Sequence, residues 1–156
     1  MLDVTIPGCT RLSLAHLVLD YNGTLASDGQ LLDGVGDVLN RLADRLELHV
    51  ITADTFGRAR SGLDGIRCRL SIVPDSRQAE AKRDYVRRLG SNRTAAIGNG
   101  QNDRLMLREA TLGIAVVEKA GAAVEAVLAA DVVCCGVLDA LGLLVNPKRL
   151  VATLRS

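Results

Sequence analysis

Short apolar runs alternate with amphipathic stretches along almost the whole chain, and this alternation limits the fold more than any other feature. The runs SLAHLVL (13–19), LHVIT (48–52), CRLSIV (68–73), TAAIG (94–98), LGIAV (112–116) and ADVVCC (130–135) have strand length and few polar residues. Such runs suit strands buried on both faces. Helical patterns lie between them. Val35, Val38, Leu39, Leu42 and Leu46 follow the spacing of a half-buried helix. Residues 76–89 read as a helix closed by Gly90, and 120–129 as another with Val124, Val127 and Leu128 as its apolar stripe. Pro147 is placed to open a last helix. Strands separated by helices predict βαβ units and a parallel sheet covered on both faces. The N-terminal VTIPG (4–8) is expected to add an edge strand.

A length of 156 residues, 48% of them apolar, suits a single domain over 1–156 with one core. The net charge of +1 gives no field to draw nucleic acid or an anionic membrane. Two Tyr, one Phe and no Trp are too few for a base-stacking platform. No apolar run reaches membrane-spanning length. The start, MLDVTIPGCT, has neither the basic nor the apolar region of a signal peptide. A cytoplasmic protein without nucleic-acid or membrane partners is therefore expected. Cys9, Cys68, Cys134 and Cys135 form no CxxC pair and no zinc spacing, and read as small buried hydrophobes. His16 and His49 fall in apolar runs and read as structural or edge residues, not as metal ligands or bases.

In a parallel sheet, ligands bind beyond the carboxyl ends of the strands. Asp20, Tyr21, Asn22, Gly23 and Thr24 follow the first central run, and Thr52, Ala53 and Asp54 close the second. GNGQND (98–103) follows the fourth, and Lys82 lies on the helical segment before it. Each alone has an ordinary explanation as a turn former, a helix cap or a solvated side chain. Together, in this order, they resemble the haloacid dehalogenase superfamily of phosphotransferases. Asp20-Tyr21-Asn22-Gly23-Thr24-Leu25 is similar to its DxDGTL motif, Thr52 to the second motif and Lys82 to the third. Gly98-Asn99-Gly100-Gln101-Asn102-Asp103 is similar to the fourth, GDGxND. The fourth motif and the following GIAVVEKAGAAVEAVLAADVV resemble the phosphorylation domain of P-type ATPases. Without a membrane segment, the resemblance is strongest to the small soluble P-type ATPase-like phosphatases.

The resemblance implies a three-layer α/β/α, Rossmann-like core with a parallel sheet. Asp20 and Thr52 are 32 residues apart, and Thr52 and Lys82 are 30 apart. Neither interval can hold a folded cap domain, so an open site is expected, unless a neighbouring subunit of a homo-oligomer covers it. The resemblance further implies that Asp20 is a nucleophile forming an aspartyl-phosphate from a small phosphorylated substrate. Gly23, Thr52, Ala53 and Lys82 would bind the phosphoryl group. Mg²⁺ would sit among Asp20, the main-chain carbonyl of Asn22, Asn99 and Asp103. One of only three lysines, beside 16 arginines, falls at the position where a compact ammonium is required.

Two residues depart from the family pattern. Asn99 stands where an aspartate usually meets the metal. Asn22 stands where an aspartate usually acts as general acid and base, and removing such a group typically costs ~10²–10⁴-fold in rate. The sequence thus supports a slow phosphatase or phosphotransferase. Two alternatives are a regulatory protein that binds phosphate or nucleotide with weakened hydrolysis, and a capless, oligomeric sugar-phosphate phosphatase. Tyr21 and Phe56 fall beside the first two motifs, either packing beneath the loops or lining a leaving-group pocket. Arg58 and Arg60 lie near the same rim and read as solvated.

Overall fold

The computed structural model describes residues 1–54 and 56–156. The chain begins with an antiparallel hairpin, β1 (Leu2–Ile6) and β2 (Thr10–Leu14), that stands outside the main sheet. β3 (His16–Leu19) follows, then a two-residue-strand hairpin, β4 (Ala26–Ser27) and β5 (Gln30–Leu31). Next come α1 (Val35–Leu42), β6 (Glu47–Thr52), α2 (Ala59–Gly62), β7 (Arg69–Ile72) and α3 (Gln78–Leu89). The remaining elements are β8 (Thr94–Gly98), α4 (Arg104–Glu109), β9 (Leu112–Val116), α5 (Val124–Ala129), β10 (Val132–Cys134), α6 (Val137–Val145) and α7 (Pro147–Leu154). The main sheet is six-stranded in the order β10-β9-β8-β3-β6-β7, and every pairing is parallel.

Strand alternation sorts the helices onto two faces. Leu17 and Leu19, with Leu48, Val50, Ala95, Ile97, Leu112 and Ile114, pack with α1 and α6 residues such as Leu39, Val137 and Leu141. Val18, Ile51, Ala96 and Ala115 point the other way, to Val86 of α3, Met106 and Leu107 of α4, and Ala126 of α5. This is the expected three-layer, Rossmann-like arrangement, with strands buried on both sides. The chain moves outward from β3 through β6 to β7, then returns to the far side of β3 at β8. The sheet's switch point therefore lies between β3 and β8, and the chain leaves these strands at Asp20 and Asn99. Crevices at such a point are where open α/β sheets bind ligands.

Several expectations need correction. The run 13–19 is not one strand: it breaks at Ala15 into β2 and β3. Pairing changes there: β2 is antiparallel to β1, whereas β3 is parallel to β6 and β8. At the break, the Ala15 N–H donates to Arg93 O (2.9 Å) and Ala15 O accepts from the Glu47 N–H (2.9 Å). The N-terminal strand covers Leu2–Ile6 and pairs only with β2, so it is no edge of the main sheet. In α5 the stripe is rotated: Val124 and Leu128 are 72% and 74% exposed, while Ala126 is fully buried. Apart from Glu125 that segment is apolar all round, so its pattern could not choose a face. Helix α6 has no counterpart among the expected helices, yet five of its apolar residues are buried, among them Ala140, Leu141 and Leu144. The cysteines are not buried hydrophobes. Cys9 and Cys135 are exposed, Cys68 and Cys134 are half-buried, and all are free thiols.

Candidate active site

Asp20 follows directly on β3, and its N–H donates to Ile97 O of β8 (3.0 Å), so the sheet holds its backbone. The chain then folds back on itself. Tyr21 O accepts from the N–H groups of Thr24, Leu25 and Ala26 at 2.9–3.1 Å. Gly23 makes the reversal possible with φ +83°, and a Cβ there would lie 2.5 Å from the Asn99 amide nitrogen. The first motif loop thus lies directly against the fourth.

Three ionisable side chains meet below these loops. Lys82 Nζ, carried in from α3, donates to Asp20 Oδ1 and to Asp103 Oδ1, both at 2.7 Å. Lys82 and Asp103 are fully buried and Asp20 nearly so. The other Asp103 oxygen accepts from the N–H groups of Asn99 (3.0 Å) and Gly100 (2.9 Å). Asp103 therefore folds the fourth motif loop around itself and anchors Lys82. Gly98 is required by the same packing, because a Cβ there would come within 2.6 Å of the Asp103 carboxylate. A further tie, Asn102 Nδ2 to Gln78 Oε1 (2.6 Å), joins this loop to the start of α3.

The electrostatics follow from burial. Burial pushes the Asp20 carboxyl up to about 6 and the Asp103 charge adds to this, while Lys82 and the Thr24 hydroxyl oppose it. Burial alone would discharge Lys82, but the Asp103 and Asp20 carboxylates outweigh it and raise its pKa above the ordinary lysine value. Lys82 is thus a fixed cation, and the Asp20 carboxyl is harder to ionise than an exposed one.

Thr24 was quoted in the sequence motif without a task, and the structure gives it one. Its hydroxyl lies 3.1 Å from Asp20 Oδ2 and 3.3 Å from Asn99 Oδ1. The Asn99 amide is oriented from behind, where Nδ2 donates to Gly121 O (3.1 Å). Two hard oxygens, one a carboxylate and one an amide, so converge on one hydroxyl. That donor set fits a small hard cation such as Mg²⁺, which takes oxygen ligands and keeps several waters. Asp103 offers such an ion less, since both of its oxygens already accept hydrogen bonds.

Asn22 is the site's unsatisfied group: neither its amide nitrogen nor its amide oxygen has a partner among the described residues, and both are shielded from solvent. Asn22 and Gly23 form one wall of a cleft of about 420 Å³, together with Phe56, Asn99, Glu118 and Lys119. Phe56 is half-exposed at its mouth, whereas Tyr21 is fully buried with its hydroxyl donating to Gly29 O (3.1 Å). Of the two aromatics, only Phe56 lines the cleft. Arg58 and Arg60 are exposed, and Arg58 and Lys119 border a shallower depression beside it. Thr52 is buried at the same end of the adjacent strand β6, and its hydroxyl accepts from the Asp54 N–H (3.0 Å). Ala53 follows, half-buried.

Solved structures with this architecture include a phosphatase from Moraxella catarrhalis named for 3-deoxy-D-manno-octulosonate 8-phosphate, in complex with magnesium, phosphate and a KDO molecule. It is 20% identical, with a TM-score of 0.67 over 91% of this chain and 94% of that one. A cobalt-bound deoxy-D-mannose-octulosonate 8-phosphate phosphatase from Haemophilus influenzae is 16% identical, with a TM-score of 0.69 over 92% and 94% of the two chains. A haloacid dehalogenase-like hydrolase from Streptococcus pneumoniae is 12% identical, with a TM-score of 0.63 over 83% and 97%. The chain has the haloacid dehalogenase fold.

Within that fold, the described residues between β3 and β6 form the β4–β5 hairpin and α1, and those between β6 and α3 form α2 and β7. No family model matches the chain. Two uncharacterised proteins of Methanocaldococcus jannaschii are similar in sequence. MJ0073 is 50% identical over 60 residues, which is 38% of this chain and 64% of that relative, under two thirds of its length. MJ0072 is 44% identical over 39 residues, 25% of this chain and 89% of that relative. The likeness to soluble P-type ATPase-like proteins rests on the motif residues alone. No helix among the described residues is long and apolar enough to cross a membrane.

Proposed function

We propose that this chain is a phosphatase or phosphotransferase that works through a phosphoryl group carried on Asp20. The buried Asp20–Lys82–Asp103 array at the sheet's switch point carries the reading. A carboxylate oxygen of Asp20 forms a bond to phosphorus as the ester P–O bond breaks, and the leaving oxygen departs with the bonding pair. Lys82 offsets the charge on Asp20 and on the incoming phosphoryl group. The Thr52 hydroxyl and the main chain at Gly23 and Ala53 would receive the phosphoryl oxygens. Asp20, Asn99 and the Asn22 main-chain carbonyl would hold Mg²⁺, with Asp103 behind them fixing the loop. When bound, the ion would neutralise phosphoryl oxygens during transfer.

Asn22 sets the rate of the second half. Its amide can neither give the leaving oxygen a proton nor take one from the water that attacks phosphorus. Both protons then pass through solvent, and the acyl phosphate on Asp20 is long-lived. The same orphaned amide favours a second reading, in which the protein captures phosphate and turns over too slowly to matter as a hydrolase. The structural neighbours make small sugar phosphates the first substrates to screen. Phe56 offers an apolar surface to the leaving group, and Lys119 and Arg58 offer positive charge to a second anionic group. With no cap domain among the described residues, a second copy over the cleft is the arrangement that would close it. Hydrolysis of a chromogenic phosphate ester in Mg²⁺ tests the enzymatic reading. Turnover in the wild type, absent from Asp20→Asn, supports it, and equal release by both overturns it.

A further inference from the structure

At the opposite end of the same two strands lies a second polar cluster. His16 opens β3 and pairs in register with Glu47, which opens β6, and His49 follows two residues later on the same face as Glu47. His16 Nδ1 and His49 Nε2 are 3.3 Å apart. Glu47 Oε2 lies 3.8 Å from His16 Nδ1 and 4.0 Å from His49 Nε2. The three donor atoms thus fall within 4.8 Å of one another. A tetrahedral Zn²⁺ with Zn–N bonds of about 2.0–2.1 Å holds its two nitrogens roughly 3.3–3.4 Å apart. The imidazoles already stand at that spacing. The Glu47 side chain is more than half exposed and needs to move inward by only about 0.5 Å to complete a face with similar edges.

We propose that His16, Glu47 and His49 form a Zn²⁺ site that clips β3 to β6 at the amino end of the sheet, separate from the phosphoryl site. Two imidazoles and one carboxylate are a ligand set that Zn²⁺ takes with a water in the fourth position, and the exposed Glu47 side leaves that position open to solvent. His49 has the orienting contact a metal-bound imidazole requires. Its far nitrogen, Nδ1, is 2.9 Å from the hydroxyl of Tyr85 on α3, which fixes the ring so that Nε2 faces His16. Arg69, 3.8 Å from Glu47 Oε2, is the competing cation, and it is exposed and free to swing away.

The test is Zn²⁺ binding by calorimetry in the Asp20→Asn protein with excess Mg²⁺, which keeps zinc from the phosphoryl site. The expected result is one Zn²⁺ per chain. Affinity should fall at least ~10-fold in His16→Ala and in Glu47→Gln, and ~10-fold in Tyr85→Phe. Co²⁺ in place of Zn²⁺ should give the intense visible bands of a four-coordinate site, and these should vanish in Glu47→Gln, whose side chain is on the surface and cannot disturb folding. The absence of Zn²⁺ binding overturns the assignment, as does binding unchanged by His16→Ala and Glu47→Gln.

Discussion

The two ends of β3 and β6 carry opposite solutions to burying polar groups. At the carboxyl end, Asp20, Lys82 and Asp103 are charged and joined by bonds of 2.7 Å. At the amino end, His16 and His49 are neutral and joined to each other and to Tyr85 at 3.3 and 2.9 Å. Helix α3 serves both, with Lys82 on one turn and Tyr85 on the next. Buried charge needs a complete set of partners, whereas neutral imidazoles tolerate an incomplete one. The charged end is therefore rigid and sensitive to any deletion. The neutral end is tolerant, responsive to acid and able to accept a cation.

The largest expected effect is at the charged end. Asp20→Asn should lower phosphate-ester turnover by at least ~10⁴-fold, as removal of a nucleophile does elsewhere, while circular dichroism stays unchanged. Next, Asn22→Asp should raise turnover by ~10²-fold or more by restoring a proton donor and acceptor in the cleft. An unchanged rate would move the weight to the phosphate-binding reading. Lys82→Met should destabilise the fold by about 3–5 kcal/mol in urea unfolding, because it leaves two buried carboxylates facing each other.

The amino end should respond less, and to pH. The His49 imidazole is lowered to about 4, chiefly by burial and then by His16. Its folded value lies below its unfolded one, so its contribution is complete above about 6.5 and is lost as the pH falls through about 4. Metal-free protein should therefore lose no more than about 2–3 kcal/mol of stability across that window, and His49→Gln should flatten the profile. The smallest expected change is in Asn99→Asp, which sets a carboxylate oxygen against Gly121 O in place of the Nδ2–H donor. About 1–2 kcal/mol of stability should be lost without metal, and Mg²⁺ should restore it.

Much of the charged end was readable in the chain, because β3, β6 and β8 each stop at a residue of unlike character: Asp20, Thr52 and Asn99. An apolar run that ends so abruptly leaves little freedom of register. Asp103 was harder to place, since a carboxylate in a loop looks the same whether it faces a metal or a lysine. The structure shows both of its oxygens occupied, one by Lys82 and the other by the N–H groups of Asn99 and Gly100. The neutral end was hidden for a different reason. His16 and Glu47 meet through strand register, which joins residues 31 positions apart in sequence, and no local pattern encodes that pairing. The break at Ala15 and the rotated face of α5 were lost where apolar residues crowd both parities.

The central claim is that Asp20 carries the phosphoryl group. It is tested most directly by mass spectrometry of the protein quenched in acid after reaction with a phosphate ester and Mg²⁺. The account predicts a phosphorylated peptide at Asp20 that accumulates in the wild type and fades in Asn22→Asp, where hydrolysis catches up with transfer. Steady turnover with the phosphoryl group on another residue, or undiminished turnover in Asp20→Asn, would contradict it.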